Sequence, residues 1–578
     1  MQSQQVLIVG GGVLGPKVAC RLKRLRPDWE VTLVDQQENI NSSACGIPYY
    51  VSGDVAELHG LMTASFHMLR SPDFFENAKD VRIKTRTRAL AVDRQAKQVR
   101  VRHEETGAEE DLPYDKLVLA TGCRPQPLAV PGADLPGVTS LTTLGQAEAV
   151  KSRLSQGEVS KAVILGASSR GLEMAAGVCD LWGVETAVVE PGSQVLPGLL
   201  DPPLARMVQH EMQSRGVEVF LEESLQAIVP ASGNNSLEVV TSNRRLPADL
   251  VIVAWGVEPR TELAASTGLV LSPGGGLVVN QRLQTSDPDI YAGGGCVENP
   301  HLLTGKTTYF PASSLAHRQG RIIGTNLAGG CATFPGIVGS FACKIFDLAV
   351  AGTGLTLEAA RQEGLTSEAA LVVQQDHAHF FPGPELIYLQ LVVDRTSRRL
   401  LGAQGVSHNG DALLGRINSS AALLMHQGAI EDLANLEVGY SPPYATALDI
   451  VNTVANTAEN IVAGFHQSIT LNEFQRLFLE EARDDVICLD VRGAANAAPF
   501  VARFGERWLN IPQETLKHRF REIPQDKRLI LVCNAGMRSY EALRQLQTQG
   551  FNNAVGLQGG VAALKKSGLL TGGEEEKK

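Results

Sequence analysis

A glycine-rich turn between a buried strand and a helix occurs twice in this chain, and few folds can contain it. Val6-Leu7-Ile8-Val9 reads as a strand buried on both faces and runs into Gly10-Gly11-Gly12-Val13-Leu14-Gly15. A helical stretch follows through Leu25, then a second strand, Val31-Thr32-Leu33-Val34, ending at Asp35. This is the G-x-G-x-x-G turn of a βαβ unit, with an acid about 20 residues further on. Glycines there let the backbone approach a pyrophosphate at the helix N-terminus, and Asp35 can accept hydrogen bonds from an adenosine ribose. The design restarts at Lys161-Ala162-Val163-Ile164-Leu165, with Gly166-Ala167-Ser168-Ser169-Arg170-Gly171 and a strand over 186–189 ending at Glu190. Ser168 replaces the middle glycine and crowds the place of a pyrophosphate. The Glu190 carboxylate favours a free 2′-hydroxyl over a 2′-phosphate, hence NADH over NADPH.

At 578 residues, roughly three to five domains are expected, not one. A net charge of −10 argues against nucleic acid as the main partner. Apolar runs such as 6–15 are far short of the roughly 20 residues that span a bilayer. With no basic region and apolar block at the N-terminus, a cytoplasmic protein without a membrane partner is expected. Nine cysteines at long spacings, none in a C-x-x-C pair, suggest neither a disulfide scaffold nor a zinc module, and no metal site is expected. Chemistry then rests on individual thiols.

Between and after the glycine turns lie Leu117-Val118-Leu119-Ala120-Thr121-Gly122 and Asp289-Ile290-Tyr291-Ala292-Gly293-Gly294-Gly295. With these segments, residues 1 to about 465 resemble the flavoprotein disulfide reductases that carry two dinucleotide folds. The resemblance implies FAD on the first fold, at Gly10, Gly12, Val13, Leu14, Gly15, Asp35, Ala120, Thr121, Gly122, Gly294 and Gly295. It implies NADH on the inserted second fold, at Gly166, Ser168, Gly171 and Glu190. Gly295 stands where the family has an aspartate that holds the ribityl-phosphate region. Residues 331–465 resemble the family's interface domain, with Phe341-Ala342-Cys343-Lys344-Ile345-Phe346 and Gly439-Tyr440-Ser441-Pro442-Pro443-Tyr444 pointing to the coenzyme A disulfide reductase and NADH oxidase branch. Leu448 and Ile450 depart from that branch's usual Lys and Pro. The branch implies a homodimer in which Tyr440 and Tyr444 reach the partner's active site. It also implies that basic residues of the first helix, Arg21 and Arg24, hold coenzyme A phosphates, a solvated face being the alternative.

From about 468 the pattern starts afresh. Ile487-Cys488-Leu489-Asp490-Val491-Arg492, Cys533-Asn534-Ala535-Gly536-Met537-Arg538 and Leu557-Gln558-Gly559-Gly560 resemble a rhodanese domain, although its usual "GHIPGA" segment is replaced by residues 504–512. The expected fold class is α/β: two Rossmann-like dinucleotide-binding domains (a discontinuous 1–150 with 281–330, and 151–280), an α+β dimerisation domain (331–465) and a C-terminal α/β rhodanese domain (468–571). Residues 572–578 form a charged tail.

Two thiols stand out. Cys45, in Ala44-Cys45-Gly46-Ile47-Pro48-Tyr49-Tyr50, matches the branch's single flavin-facing cysteine. Ile40 and Tyr50 occupy the positions where a dithiol reductase would need a second cysteine, so the second sulfur comes from substrate. A free cysteine is more often an apolar filler than a nucleophile, and this one needs a helix N-terminus or nearby positive charge to act as thiolate. Cys533 enters a six-residue loop ahead of a helix, where backbone N–H groups and Arg538 suit a thiolate or persulfide. Cys123, Cys296 and Cys343 read as structural.

The resemblance implies an enzyme in which NADH, through FAD, reduces persulfides, polysulfides or coenzyme A disulfide at Cys45, with Cys533 carrying sulfane sulfur. An NADH oxidase or peroxidase is a second reading, weakened for the peroxidase by Val13, where those enzymes place a histidine. A third is a flavin-deficient sulfurtransferase or sulfur sensor, supported by Ser168 and Gly295.

Overall fold

A computed structural model describes residues 3–41, 43–231 and 236–570. Ser42, next to the Cys45 motif, and the charged tail lie outside the described residues. The chain divides into two compact units, residues 1–189 with 224–337, and 190–223 with 338–578.

In the first unit, the expected strand forms as Gln5–Val9 and the helix as Leu14–Leu25. The strand lies between Glu30–Val34 and Lys116–Leu119 in a parallel sheet closed by Ile290–Ala292 and Arg82–Lys84. Its apolar runs are buried, as a parallel sheet covered on both faces requires. Helix Ser313–Leu327 packs on Leu14–Leu25 through Gly320 and Gly324, where a Cβ would fall 2.9 Å from that of Lys17 and 2.8 Å from that of Arg21. The second glycine turn follows strand Lys161–Leu165, which pairs in parallel with Glu185–Glu190 and Leu250–Val253. Val138–Thr139 adds itself beside Leu250–Val253, so this sheet draws on chain from before residue 151.

The second unit holds two sheets. Five antiparallel strands run in the order Phe341–Ile345, Leu348–Gly354, Leu400–Ser407, Leu386–Asp394, Ser367–Gln375. The parallel sheet runs Ser468–Ile469, Ala554–Leu557, Arg528–Val532, Val486–Asp490, Trp508–Asn510. Segment 504–512 serves an aromatic core: Trp508 stacks on Phe500 (5.0 Å) and Phe504 (5.5 Å), and its indole N–H donates to Asp490. Asp490 also receives the Arg492 guanidinium, so the Asp-x-Arg pair is a buried brace.

The two sheets of this unit are joined by a side chain that acts like a peptide. Ser367–Gln375 is an edge strand, and the Gln558 amide accepts from Leu371 N–H (2.9 Å) while donating to Ala369 C=O (3.1 Å) and Ser468 Oγ (2.9 Å). An edge that would otherwise present unpaired groups is thereby covered. At the far end of helix Gly560–Lys566, Lys566 Nζ donates to Glu211 (2.7 Å) and to His408 Nε2 (3.1 Å).

His466, at the start of the parallel sheet, is buried, lies 4.8 Å from the Tyr540 ring, and has no partner for Nε2 among the described residues. Burial pushes its pKa down to about 4. The unfolded chain binds that proton near pH 6.5 and the folded chain near 4, so stability falls as pH drops through this window, by a few kcal/mol at most. His466→Leu is expected to flatten the stability profile of the C-terminal sheet between pH 6.5 and 4, read by hydrogen exchange of strand Ala554–Leu557. An unchanged profile would contradict the assignment.

Candidate functional site

The first glycine turn is built by close approach. Gly10 adopts φ +117° and a Cβ there would lie 2.1 Å from Ala120 O, while one on Gly15 would lie 2.0 Å from Gly10 O. Nothing lies within 4 Å of the position a Gly12 Cβ would take, and the helix starts at Val13 with no side-chain cap. Its first N–H groups are therefore presented toward open space, as an anion site needs. Asp35 accepts from Gly11 N (2.5 Å) and Gln37 N (2.6 Å), and burial raises its pKa. A groove of about 550 Å³ opens here, lined by Gly10, Asp35, Thr121 and Arg260 among others. Thr121 Oγ1 donates to Arg260 O (2.6 Å) and Gly122 takes φ +71°. A glycine-walled groove ending on an acid suits an adenosine diphosphate moiety such as that of FAD.

At the far segment, Gly294 N donates to Gln319 Oε1 (2.7 Å) and Gly295 O accepts from Tyr309 (2.9 Å). A Cβ on Gly295 would approach Gly122 C and Cys123 N at 3.2 Å, so the backbone after Thr121 occupies the room a side chain would need. Cys123 is half-buried and burial pushes its thiol up. Cys296 and Cys343 are buried.

The second turn repeats the first. Gly166 has φ +104°, and a Cβ on Gly171 would lie 2.1 Å from Gly166 O. Ser168 caps helix Ser169–Trp182, accepting from Gly171 N (3.2 Å) and donating to Ala254 O (2.8 Å). Its hydroxyl is thus folded back into the protein. Trp255, which sequence reasoning passed over, packs at Gly166, and its buried indole N–H has no partner among the described residues. A donor left open beside a glycine turn fits a dinucleotide. Glu190, at the end of strand Glu185–Glu190, is buried and accepts from Gly192 N (2.8 Å).

Cys45 lies in the short turn Ala44–Gly46 and is exposed. Ser313 Oγ, in the first residue of helix Ser313–Leu327, stands 4.0 Å from its Sγ, and that helix start carries no side-chain cap. The positive end of a 15-residue helix therefore faces the sulfur. The helix Ile47–Val51 that follows is fixed by Tyr49 OH donating to Glu173 (2.8 Å) and by Trp182 donating to Val51 O (2.8 Å). Arg170 donates to Leu141 O (2.8 Å) and Ala44 O (3.4 Å), beside the cysteine.

Basic residues gather near the first helix, Arg21 and Arg24 with others. Arg21 Nε is engaged by Thr325 Oγ1 (3.0 Å) and Arg24 Nε by Cys20 O (2.9 Å). Lys23 pairs with Asp80, and Arg26 with Asp28. Lys17, Arg24, Arg70 and Lys79 surround Cys20, and Lys17 and Arg70 also bear on His317. Lys17, one turn before Arg21, was open to sequence reasoning; Arg70 arrives from a distant loop and carried no local signal.

In the second unit Tyr440 and Tyr444 are 52% and 77% exposed. Leu448 is exposed, while Ile450 is buried at the head of helix Ile450–Val462, capped by Asp449. Cys533 follows strand Arg528–Val532 and is buried; Gly536 N (3.1 Å) and Ser539 Oγ (3.5 Å) donate to its sulfur. Gly536 at φ +101° opens helix Met537–Thr548, and Arg538, half-buried, lies in its first turn. The loop is tied from behind, with Val561 N donating to Cys533 O and Ala562 N to Asn534 O, both at 2.9 Å.

Residues 4–320 match the pyridine nucleotide-disulphide oxidoreductase family, 340–451 the dimerisation domain of that family, and 479–567 the rhodanese-like domain. The chain belongs to the pyridine nucleotide-disulphide oxidoreductases. This oxidoreductase is 32% identical over 450 residues to the NAD(P)H sulfur oxidoreductase (CoA-dependent) of Pyrococcus furiosus, covering 78% of this chain and 98% of that protein. It resembles the NAD-dependent persulfide reductase from A. fulgidus with TM-score 0.90 and 35% identity, over 97% of this chain and 99% of that one. It also resembles reduced Bacillus anthracis CoADR-RHD, with TM-score 0.88 and 28% identity over 98% of each chain. The expected fold class and family are borne out.

In the oxidoreductase, Gly560 has φ +59° and a Cβ there would meet Cys533 O at 2.5 Å. Overpacking of about 1–3 kcal/mol at that contact is expected to cut sulfur loading of Cys533 in Gly560→Ala about tenfold. The check is thiosulfate:cyanide sulfur transfer, with alkylation of Cys45 unchanged.

Proposed function

We propose that the protein uses NADH to reduce persulfides, polysulfides or coenzyme A disulfide at Cys45, with Cys533 carrying sulfane sulfur. The observation that carries this reading is an exposed, unpaired sulfur facing a helix N-terminus in the same unit as both glycine turns. FAD bound at the first glycine turn would supply two-electron transfer from NADH to sulfur. The protein's own residues do the rest.

Gly10, Gly12, Val13, Leu14, Gly15, Asp35, Ala120, Thr121, Gly122, Gly294 and Gly295 hold FAD, in a domain of 1–150 and 281–330. Gly166, Ser168, Gly171, Glu190 and the Trp255 indole hold NADH, in 151–280. Cys45 as thiolate attacks the inner sulfur of R–S–SH, releasing hydrosulfide and forming a Cys45–S–S–R disulfide. Two electrons and two protons then return Cys45 and R–SH. The sum is NADH + H⁺ + R–S–SH giving NAD⁺, R–SH and H₂S. The cations at Lys17, Arg24, Arg70 and Lys79, with Arg21 on the same helix, suit the phosphates of a coenzyme A-bearing R group, although the Nε of both Arg21 and Arg24 is already engaged.

The matched dimerisation domain supports a homodimer, in which exposed Tyr440 and Tyr444 donate protons to the partner's leaving thiolate. Domains of 331–465 and 468–571 complete the chain. No helix among the described residues is long and apolar enough to cross a membrane, and nine free thiols suit a reducing, cytoplasmic setting.

The test is anaerobic NADH oxidation with coenzyme A disulfide, glutathione persulfide, polysulfide and peroxide in turn. Cys45→Ser is expected to abolish turnover with every sulfur acceptor, and full retained turnover refutes the role. Thiosulfate treatment should add one sulfur to Cys533, visible by mass spectrometry; survival of that shift in Cys533→Ser refutes the second assignment. Turnover with peroxide alone would favour a peroxidase.

A further inference from the structure

Arg170 occupies an unusual place. It belongs to the second glycine turn, in the first turn of helix Ser169–Trp182, where a side chain would ordinarily face a dinucleotide. Instead its guanidinium reaches the turn that carries Cys45, with Nη2 bonded to Leu141 O and Ala44 O. Nε is buried and has no partner among the described residues. Burial weakens its hold on its proton, and the groups that counter this are Glu173 first, then Cys123 and Cys45. A half-buried cation with an unanswered N–H gains from an anion placed beside it.

We propose that Arg170 is the positioning residue that holds negative charge on the Cys45 sulfur, supplied to the first fold's cysteine by the second fold's glycine turn. Three neighbouring acidic groups bear on the guanidinium, Glu173, Cys123 and Cys45. Glu173 also takes the Tyr49 hydroxyl, which shares its charge. Cys123 is half-buried, and burial pushes its thiol up against the opposing pull of the Tyr309 hydroxyl and of Arg260 and Arg170. Of the three, Cys45 alone is an exposed sulfur, and the guanidinium is bonded to the carbonyl of the residue before it, Ala44. The other cations near this segment are otherwise placed: Lys151 lies 3.9 Å over the Tyr50 ring and bonds Val55 O, and Lys17 and Arg70 bear on Cys20 and His317. The helix start at Ser313 acts from another side, so charge on sulfur is met by a full cation as well as a helix end.

This inference rests on Cys45 being the working sulfur, and its test reads no turnover. In the full-length, FAD-loaded protein, Cys45 is alkylated with anionic iodoacetate and neutral iodoacetamide, each rate being compared with that of free glutathione. An adjacent cation draws the anionic reagent, so the iodoacetate-to-iodoacetamide ratio should exceed that of glutathione. Arg170→Met should lower the ratio to the glutathione value and slow iodoacetamide roughly tenfold at neutral pH, the scale expected when one nearby opposite charge is lost. Arg170→Lys should restore most of both, and Arg100→Met, in an exposed pair with Asp111, should change neither. A wild-type ratio at or below that of glutathione, Arg170→Met behaving as wild type, or Arg170→Lys behaving as Arg170→Met overturns the proposal. If Arg170→Met fails to fold, the wild-type ratio and the lysine variant decide it. Normal charge-dependent alkylation with no acceptor reduction would instead sink the reading of function and leave Arg170 standing.

Discussion

Two carbonyl oxygens, those of Gly10 and Gly166, lie where a Cβ on Gly15 and on Gly171 would be, at 2.0 and 2.1 Å. Each contact presses the start of a helix onto the end of a buried strand, so the helix N–H groups converge just beyond the sheet. A methyl group at either position would force strand and helix apart, and the anion site would open with them. The same need for close approach recurs where helix Ser313–Leu327 meets Leu14–Leu25 across Gly320 and Gly324. That second contact sets where Ser313 stands, and Ser313 is the helix residue at the Cys45 sulfur. Backbone proximity at four glycines thus locates both dinucleotide turns and the reactive thiol.

Cys45 and Cys533, the two sulfurs of the proposed function, stand in opposite surroundings. Cys45 is exposed, in a three-residue turn whose Ala44 carbonyl takes a guanidinium and whose sulfur lies 4.0 Å from the Ser313 hydroxyl at a helix start, both from distant parts of the chain. Cys533 is buried, and its donors come from its own loop, Gly536 N–H and the Ser539 hydroxyl, within six residues. Access suits a sulfur that must meet visiting disulfides of varied size. Enclosure suits one that must keep a terminal sulfur from stray thiols.

This difference also governs what could be read from sequence. Strands at Gln5–Val9 and Lys161–Leu165, both glycine turns and the Cys533 loop were legible because each is held by neighbours a few residues away. Arg170 was not: within Gly166–Gly171 it looks like a variable turn residue, and its meaning depends on Ala44 and Leu141, far away in the chain. Arg70 and Lys79 were missed for the same reason, and Trp255 because its value lies in an unanswered N–H. Ser168 was legible as an irregular residue, but its hydroxyl finds Ala254 O, a partner 86 positions on. Gly295 could be seen as a departure from the family, whereas its tight approach to the backbone at Gly122 and Cys123 required the fold.

The C-terminal sheet is more than a passenger on a tether. Gln558 completes the open edge of the dimerisation sheet with its own amide, and a Cβ on Gly559 would crowd Leu371 and Val373 of that strand at 3.2 and 3.4 Å. The next residues, Gly560 to Ala562, form the back wall of the Cys533 loop through two backbone hydrogen bonds. Any rocking of the C-terminal sheet against the edge strand would have to break the Gln558 bonds and the Lys566 contacts to Glu211 and His408 together. The loop that holds sulfur is therefore registered to the dimerisation sheet, a few residues from the clamp. If Cys533 carries sulfur as proposed, the acceptor has to come to the loop, because Val561 and Ala562 tie its backbone in place.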